Sequence, residues 1–91
     1  MAGSPSLDEA RAWRLSSRVS LRDEPFGALA YHHDTRRLVF LKSRDLVSLV
    51  RRLEEFASAT DALGELIEEP QRARYRRALF DLATAGVIDG C

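Results

Sequence analysis

The first regular pattern in the chain is an alternation of apolar and polar residues from Trp13 to Leu21. Apolar side chains occupy every second position with Ser17 as the one exception, and this period of two predicts a strand with one buried face. Asp23-Glu24-Pro25 then predicts a turn, because proline fixes its own backbone and restricts the residue before it.

Two further strands are predicted after this turn. Phe26 to His33 is rich in the aromatic and apolar residues that are common in strands, and Arg37 to Leu41 forms the third strand. Asp34-Thr35 between them suits a tight turn. Because both connections are short, we expect the three strands to form an antiparallel meander.

From Ser43 onward the apolar positions follow the spacing of a helix face instead. Ser43 is a natural N-cap, because its hydroxyl can accept a hydrogen bond from a free amide at the start of a helix. A short second helix is predicted after Ser58 or Thr60. A third helix is predicted from Pro70 to about Ala85, with Gly86 as its C-terminal stop.

Three strands followed by three helices predict an α+β fold that resembles a winged-helix arrangement. A three-stranded sheet with one apolar face needs a cover, and amphipathic helices supply it. With 91 residues, the chain is expected to form one domain. We place this domain at residues 11–91 and expect residues 1–10 to be a flexible tail.

Composition argues against several partners. The chain has 14 basic and 14 acidic residues, and nucleic-acid binding normally requires a basic surplus, so nucleic acid is not expected as a partner. No apolar run approaches the roughly 18 residues of a membrane span. The single cysteine, Cys91, can form neither an internal disulfide nor a zinc site. We expect a cytoplasmic protein that does not associate with membranes.

No catalytic or cofactor-binding motif stands out. The most suggestive pair is His32 and His33, but neighbours in a strand point to opposite faces and do not readily share a metal. Phosphate-binding, dinucleotide-binding and zinc patterns do not occur, nor does the turn that carries a nucleophilic serine in hydrolases. We therefore expect no enzymatic activity, no cofactor and no metal.

The third strand is a candidate binding edge. The last strand of a meander has unpaired backbone groups, and an added peptide strand can pair with them. This segment is apolar on both faces, so the core uses either Leu38 and Phe40 or Val39 and Leu41 and leaves the other pair available. The candidate peptide-binding residues here are Arg36, Arg37, Leu38, Val39, Phe40 and Leu41.

The third helix is a candidate second wall of the same groove. From Pro70 to Phe80 it carries four arginines and no acidic residue. One flank, outside the predicted core face, combines a large aromatic ring, small alanines and a guanidinium group. The candidate residues on this helix are Arg72, Ala73, Arg76, Phe80 and Ala83. The flank is either a groove wall for an acidic or amphipathic peptide or a solvated basic face, and the residues alone do not decide between them.

Taken together, these features resemble the PqqD-like peptide-recognition elements of ribosomal-peptide modification pathways. More narrowly, several segments are similar to the family of mycofactocin precursor-peptide chaperones, and Phe26-Gly27-Ala28-Leu29-Ala30-Tyr31 is the most specific of them. The others are Trp13-Arg14-Leu15-Ser16, Val19-Ser20-Leu21-Arg22, Glu24-Pro25 before that segment and His32 after it, and Thr35-Arg36-Arg37-Leu38. The resemblance extends from Trp13 to Ile88 and is strongest in the strands.

The resemblance implies a non-catalytic chaperone. Such a protein holds the leader of a precursor peptide as an added strand between its third strand and third helix, and presents it to a radical SAM maturation enzyme. It implies that Arg37 to Leu41 pair with the leader and that Ala73, Arg76, Phe80 and Ala83 face the groove. An acidic and apolar leader would suit the arginines, and the iron–sulfur clusters would belong to the partner enzyme.

Two alternatives remain open on the sequence. A winged-helix DNA-binding protein fits the fold order and the arginine-rich third helix, although Asp81 lies on that helix and the net charge is zero. A dimerisation module, in which edge strands pair across a two-fold axis, is the other alternative. A homodimer of this kind is also compatible with peptide binding.

Overall fold

A computed structural model of the chain describes residues 8–90. Its strands are β1 (Trp13–Leu15), β2 (Val19–Glu24), β3 (Gly27–His32), β4 (Leu38–Leu41) and β5 (Ile88–Gly90). Its helices are α1 (Arg44–Arg52), α2 (Ala59–Leu66) and α3 (Glu69–Thr84), with a 3₁₀ turn at Leu53–Glu55. The strands β2, β3 and β4 form one antiparallel sheet in that order, and β1 pairs with β5 in a second sheet. The predicted α+β class is confirmed.

The predicted first strand is in fact two strands, β1 and β2. They are separated by a turn in which the Val19 amide donates to the Ser16 carbonyl at 3.1 Å and the Arg18 amide donates to Ser16 Oγ at 3.1 Å. The turn contains Ser17, the residue that interrupted the alternation. Beyond this turn β1 leaves the main sheet and pairs antiparallel with β5, a strand that the sequence pattern did not predict.

The helix boundaries follow the predicted capping residues. Ser43 Oγ accepts a hydrogen bond from the Leu46 amide at 3.0 Å, and Ser58 Oγ accepts one from the Asp61 amide at 3.0 Å. Of the two candidate caps for α2, the serine is therefore the one used. Gly86 follows α3 with a φ of +81°, the left-handed conformation in which helices commonly end.

The core lies between the main sheet and the helices. Helix α1 packs on β3 and β4, and α2 and α3 pack against each other, with α2 also contacting α1. On the sheet side the core contains Ala28, Ala30 and Leu41, and on α1 it contains Leu49 and Val50. The two alanines of β3 leave room for α1 to lie close to the sheet. None of the helices in residues 8–90 has the length and hydropathy of a membrane span.

The described part of the predicted tail, residues 8–10, lies beside the start of α2. The Thr60 amide donates to the Glu9 carbonyl at 3.0 Å, and the Ala59 amide donates to the Arg11 carbonyl at 3.1 Å. These bonds satisfy amides at the N-terminus of α2, which lack partners within their own helix. The remainder of the predicted tail, residues 1–7, and Cys91 lie outside the described residues.

Candidate functional site

The two faces of β4 differ in what they contact. Leu41 is fully buried and Val39 packs against the core, so this pair points inward. Leu38 and Phe40 point outward and are 59% and 56% exposed. The sequence did not decide which of these two pairs the core uses. The core uses Val39 and Leu41, and it leaves Leu38 and Phe40 available.

The backbone of β4 also has two different sides. The His32 amide donates to the Arg37 carbonyl at 3.0 Å, which makes these two residues a hydrogen-bonded pair across the hairpin. Hydrogen-bonded pairs alternate along an antiparallel ladder, so Val39 and Leu41 are the residues of β4 whose backbone groups bond to β3. The amides and carbonyls of Leu38 and Phe40 therefore point away from β3. No other strand lies on that side within residues 8–90.

The position of β4 is fixed at both ends by unusual backbone. Before it, Arg36 has a φ of +62°, and its amide donates to the His32 carbonyl at 2.7 Å. At its other end, Gly27 lies so close that a Cβ built there would be 2.0 Å from the Leu41 carbonyl oxygen. Only glycine permits this approach, and its φ of +152° is also one that other residues rarely adopt. Both ends of β4 are consequently held close to β3.

A small cavity lies between the end of β4 and α3. It has a volume of about 130 Å³ and is lined by Lys42, Ser43, Leu46, Arg74, Tyr75 and Ala78. Tyr75 is buried, and its hydroxyl lies 3.0 Å from Ser43 Oγ, so one hydrogen bond joins α3 to the residue that caps α1. The cavity thus has an apolar floor and two cationic side chains, Lys42 and Arg74, on its lining, with no acidic residue among those that line it.

Two of the predicted arginines on α3 contact other parts of the chain. Arg72 donates through Nε to the Ile67 carbonyl at 2.8 Å and through Nη2 to the Gly64 carbonyl at 2.9 Å, where it satisfies carbonyls at the end of α2. Arg76 forms an ion pair with Glu9, with Nε 2.7 Å from Oε1. Both side chains therefore face α2 and the N-terminal segment.

The other predicted helix residues share that side of α3. Ala73 is exposed, Ala83 is half-buried against the core, and Phe80 is half-buried with the Arg77 guanidinium 5.5 Å from its ring centre. With 100° per residue, the buried face around Leu79 separates this flank from the flank that lines the cavity beside β4. The structure therefore brings the predicted β4 residues and the predicted α3 residues to different places, and peptide contact by these α3 residues remains a prediction.

Five residues that line the cavity were not among the peptide-binding candidates from the sequence. They are Lys42, Ser43, Leu46, Arg74 and Ala78. Arg74 and Ala78 are four residues apart and so lie one above the other on the helix, with a guanidinium followed by a small side chain. Arginine and alanine occur together on both flanks of the core face, as Arg74 and Ala78 on one flank and as Arg76 and Ala83 on the other. The sequence therefore has no signal that identifies the flank facing the strand, because that depends on how α3 is rotated on the core.

The arrangement of titratable groups does not suggest catalysis. His32 Nδ1 accepts from the Asp34 and Thr35 amides at 3.2 and 3.3 Å, while His33 Nε2 lies 2.7 Å from Ser20 Oγ. The two rings thus serve separate structural contacts. Residues 8–90 contain no group of three acidic, histidine or cysteine side chains placed to hold a metal ion. The fold and the site are those of a small binding domain with an open strand edge.

The comparisons with known proteins agree with this class. The family model described as "Peptide chaperone MftB family" matches residues 12–89. A protein of Mycobacterium ulcerans (strain Agy99), named Peptide chaperone MftB, is 44% identical over 90 residues, which cover 96% of this chain and 81% of that protein. The chain belongs to the Peptide chaperone MftB family and is a peptide chaperone rather than an enzyme.

Two further relatives carry the same name. The protein of Mycobacterium tuberculosis (strain ATCC 25618 / H37Rv) is 38% identical over 88 residues, covering 96% of this chain and 81% of that protein. The protein of Mycolicibacterium smegmatis (strain ATCC 700084 / mc(2)155) is 39% identical over 84 residues, covering 91% and 82%. No solved structure is significantly similar to this chain.

Proposed function

We propose that this chain binds the leader of the mycofactocin precursor peptide as an added strand along β4 and presents it to a radical SAM maturation enzyme in the cytoplasm. The observation that carries the proposal is the outward direction of the Leu38 and Phe40 backbone groups at an edge of the main sheet. Membership of a peptide chaperone family requires a peptide site, and an open strand edge is one of the recurring ways in which proteins bind extended peptides.

The other edge of the sheet, β2, is a weaker candidate for the same role. Arg51 of α1 forms an ion pair with Asp23 of β2, with Nη2 2.9 Å from Oδ1, so charged side chains lie across the end of that edge. Charged side chains on edge strands discourage pairing with another strand. A larger depression of about 430 Å³ also lies at that end of β2, but its lining includes both Asp23 and Arg51. The cavity that reaches α3 from the end of β4 has no acidic residue on its lining. These differences favour β4.

The cavity beside β4 provides a place for a side chain of the bound leader. Its volume of about 130 Å³ approaches that of an apolar cavity of about 150 Å³ known to hold benzene, so one aliphatic side chain fits. Lys42 and Arg74 would then attract a neighbouring carboxylate of the leader. A leader with acidic and apolar residues in its paired segment matches both properties.

Amide hydrogen exchange with and without the synthetic precursor leader tests the proposal directly. Without the peptide, the Leu38 and Phe40 amides should exchange quickly, whereas the Val39 and Leu41 amides should be protected by their bonds to β3. On addition of the leader, protection should appear at Leu38 and Phe40. A scrambled peptide of the same composition is the matched control, because it has the same charge without the order of residues.

The outcome that contradicts strand addition is equally specific. If the leader binds, as measured by titration calorimetry, but Leu38 and Phe40 gain no protection, the peptide lies elsewhere. If protection appears instead at residues of β2, the leader binds at the β2 edge of the sheet. If no binding occurs at tens of micromolar, leader recognition itself is refuted.

A further inference from the structure

The outer face of the main sheet carries an exposed apolar patch. Leu38 and Phe40 are joined there by Phe26, which is 43% exposed and whose ring centre lies 5.9 Å from that of Phe40. On β3, Leu29 lies opposite Phe40 and Tyr31 lies opposite Leu38, so they extend the patch across the sheet. Large exposed apolar patches on small soluble proteins commonly mark interaction sites.

The patch also has a shape that suits a partner. A shallow depression of about 360 Å³ lies on this face and is lined by Ser20, Arg22, Leu29, Tyr31 and Leu38. It is separate from the cavity beside α3, which is lined by a different set of residues. The face therefore offers aromatic rings, a depression and a polar border, which is the usual composition of a protein–protein interface.

The charge around the patch indicates which partner it fits. Residues 18–42, which contain the main sheet, have five basic and three acidic side chains in a chain whose net charge is zero. Each of the three acids forms an ion pair with an arginine, in the pairs Arg18–Asp34, Arg22–Glu24 and Arg51–Asp23. Among residues 8–90, no acidic group pairs with Arg36, Arg37 or Lys42. Arg36 and Arg37 are exposed and directly precede Leu38, so the end of the patch at Leu38 carries positive charge without an acidic partner in the described part of the chain.

We infer that this outer face is the docking surface for the enzyme that modifies the bound peptide, through an apolar area on that enzyme with an acidic border. This inference rests on the proposed function. Leu38 and Phe40 belong to both surfaces, because their backbone faces the open edge while their side chains face the patch. A leader strand added at that edge would direct every second side chain onto the same face. The peptide would therefore enlarge the surface that the enzyme contacts, and the enzyme would prefer the loaded chaperone.

Biolayer interferometry with the immobilised radical SAM maturation enzyme tests this inference, using the full chain with and without the precursor leader. The wild-type chain should bind the enzyme more tightly when the leader is present. Phe26→Ser should weaken enzyme binding about tenfold or more, as expected for an aromatic residue in an interface. Its affinity for the leader, measured separately, should stay within about twofold, because Phe26 contributes no backbone group to the β4 edge.

Two further variants make the result specific. Phe56→Ser removes an aromatic ring outside the patch, half-buried beside Arg52 after the 3₁₀ turn, and should leave enzyme binding unchanged. Tyr31→Ser should reproduce the effect of Phe26→Ser from a different element of the patch. Thermal unfolding of all three variants identifies any that fail to fold.

The possible outcomes separate the two proposals. If Phe26→Ser and Tyr31→Ser both bind the enzyme as the wild type does, the docking inference is overturned while leader binding is unaffected. If both lose leader affinity as strongly as enzyme affinity, the patch belongs to the peptide site and the inference also fails. If the wild-type chain does not bind the leader, the proposed function fails. If sedimentation shows that the patch joins two copies of this chain, the enzyme is not its occupant.

Discussion

A proline substitution in β4 separates peptide binding from folding, because neighbouring amides of this strand have opposite roles. The Phe40 amide points to the open edge, whereas the Val39 amide bonds to β3 opposite Ala30. Proline has no amide hydrogen and is tolerated on an edge strand where that hydrogen would face outward. Phe40→Pro should therefore fold, and Val39→Pro should destabilise the sheet.

The magnitude follows from the number of bonds available. Leu38 and Phe40 together offer at most two donors and two acceptors, and each backbone hydrogen bond contributes about 0.5–1.5 kcal/mol net. Phe40→Pro removes one donor, and the proline ring weakens a neighbouring hydrogen bond to the leader. The loss of about 1–3 kcal/mol raises the Kd for the leader roughly 5- to 150-fold. Val39→Pro instead leaves a buried carbonyl without a donor and lowers the free energy of unfolding by about 1–3 kcal/mol.

Calorimetric titration with the leader and urea unfolding measure these two effects on the same samples. Phe40→Ala is the matched control, because it removes the aromatic ring but keeps the amide. It should retain more leader affinity than Phe40→Pro. The reasoning is refuted if Phe40→Pro is folded and binds the leader with the wild-type Kd.

Three other substitutions test features that position the site. Gly27→Ala should lower the free energy of unfolding by at least about 2 kcal/mol, since its Cβ would lie 2.0 Å from a backbone oxygen of β4; a wild-type urea midpoint would contradict this close approach. Tyr75→Phe should lower the free energy of unfolding by about 0.5–1.5 kcal/mol, because the hydrogen bond of its hydroxyl is lost. Ser43→Ala should lower it further, because it removes the same bond and also the cap of α1. Equal urea midpoints for the two variants would argue against these two roles of Ser43. If the leader contacts the flank of α3 beside β4, Arg74→Glu should weaken leader binding in calorimetry and Phe80→Glu should not. The reverse order of affinities would show that the leader contacts the flank predicted from the sequence.

The fold could be predicted from the sequence because each element has a local signal. The capping serines and the glycine after α3 define helix ends through hydrogen bonds between close neighbours in the chain. The strand β5 has no such signal, because it consists of Ile88, Asp89 and Gly90 and exists only through pairing with β1, more than 70 residues earlier. A three-residue strand has too short a pattern to predict a partner so distant.

The candidate site was predictable on the strand side and much less so on the helix side. Hydrophobic residues on both faces of Leu38–Leu41 are visible in the sequence, and the edge position follows from the order of the strands. The rotation of α3 depends on how Tyr75, Leu79 and Leu82 together fit the core. That packing is a property of the whole molecule, so the sequence did not distinguish the flank with Arg74 from the flank with Arg76.

The uneven distribution of charge has a consequence for how copies of this chain meet in solution. Away from the positive sheet, residues 53–69 carry six acidic side chains and no basic one, and the main contacts of α2 are with α1, α3 and the 3₁₀ turn rather than with the main sheet. Two molecules can therefore attract each other head to tail, an arrangement that has no closing symmetry and continues from copy to copy. In dilute buffer we expect weak, open-ended oligomers. They should dissociate as the ionic strength approaches that of the cell, where the Debye length is about 8 Å.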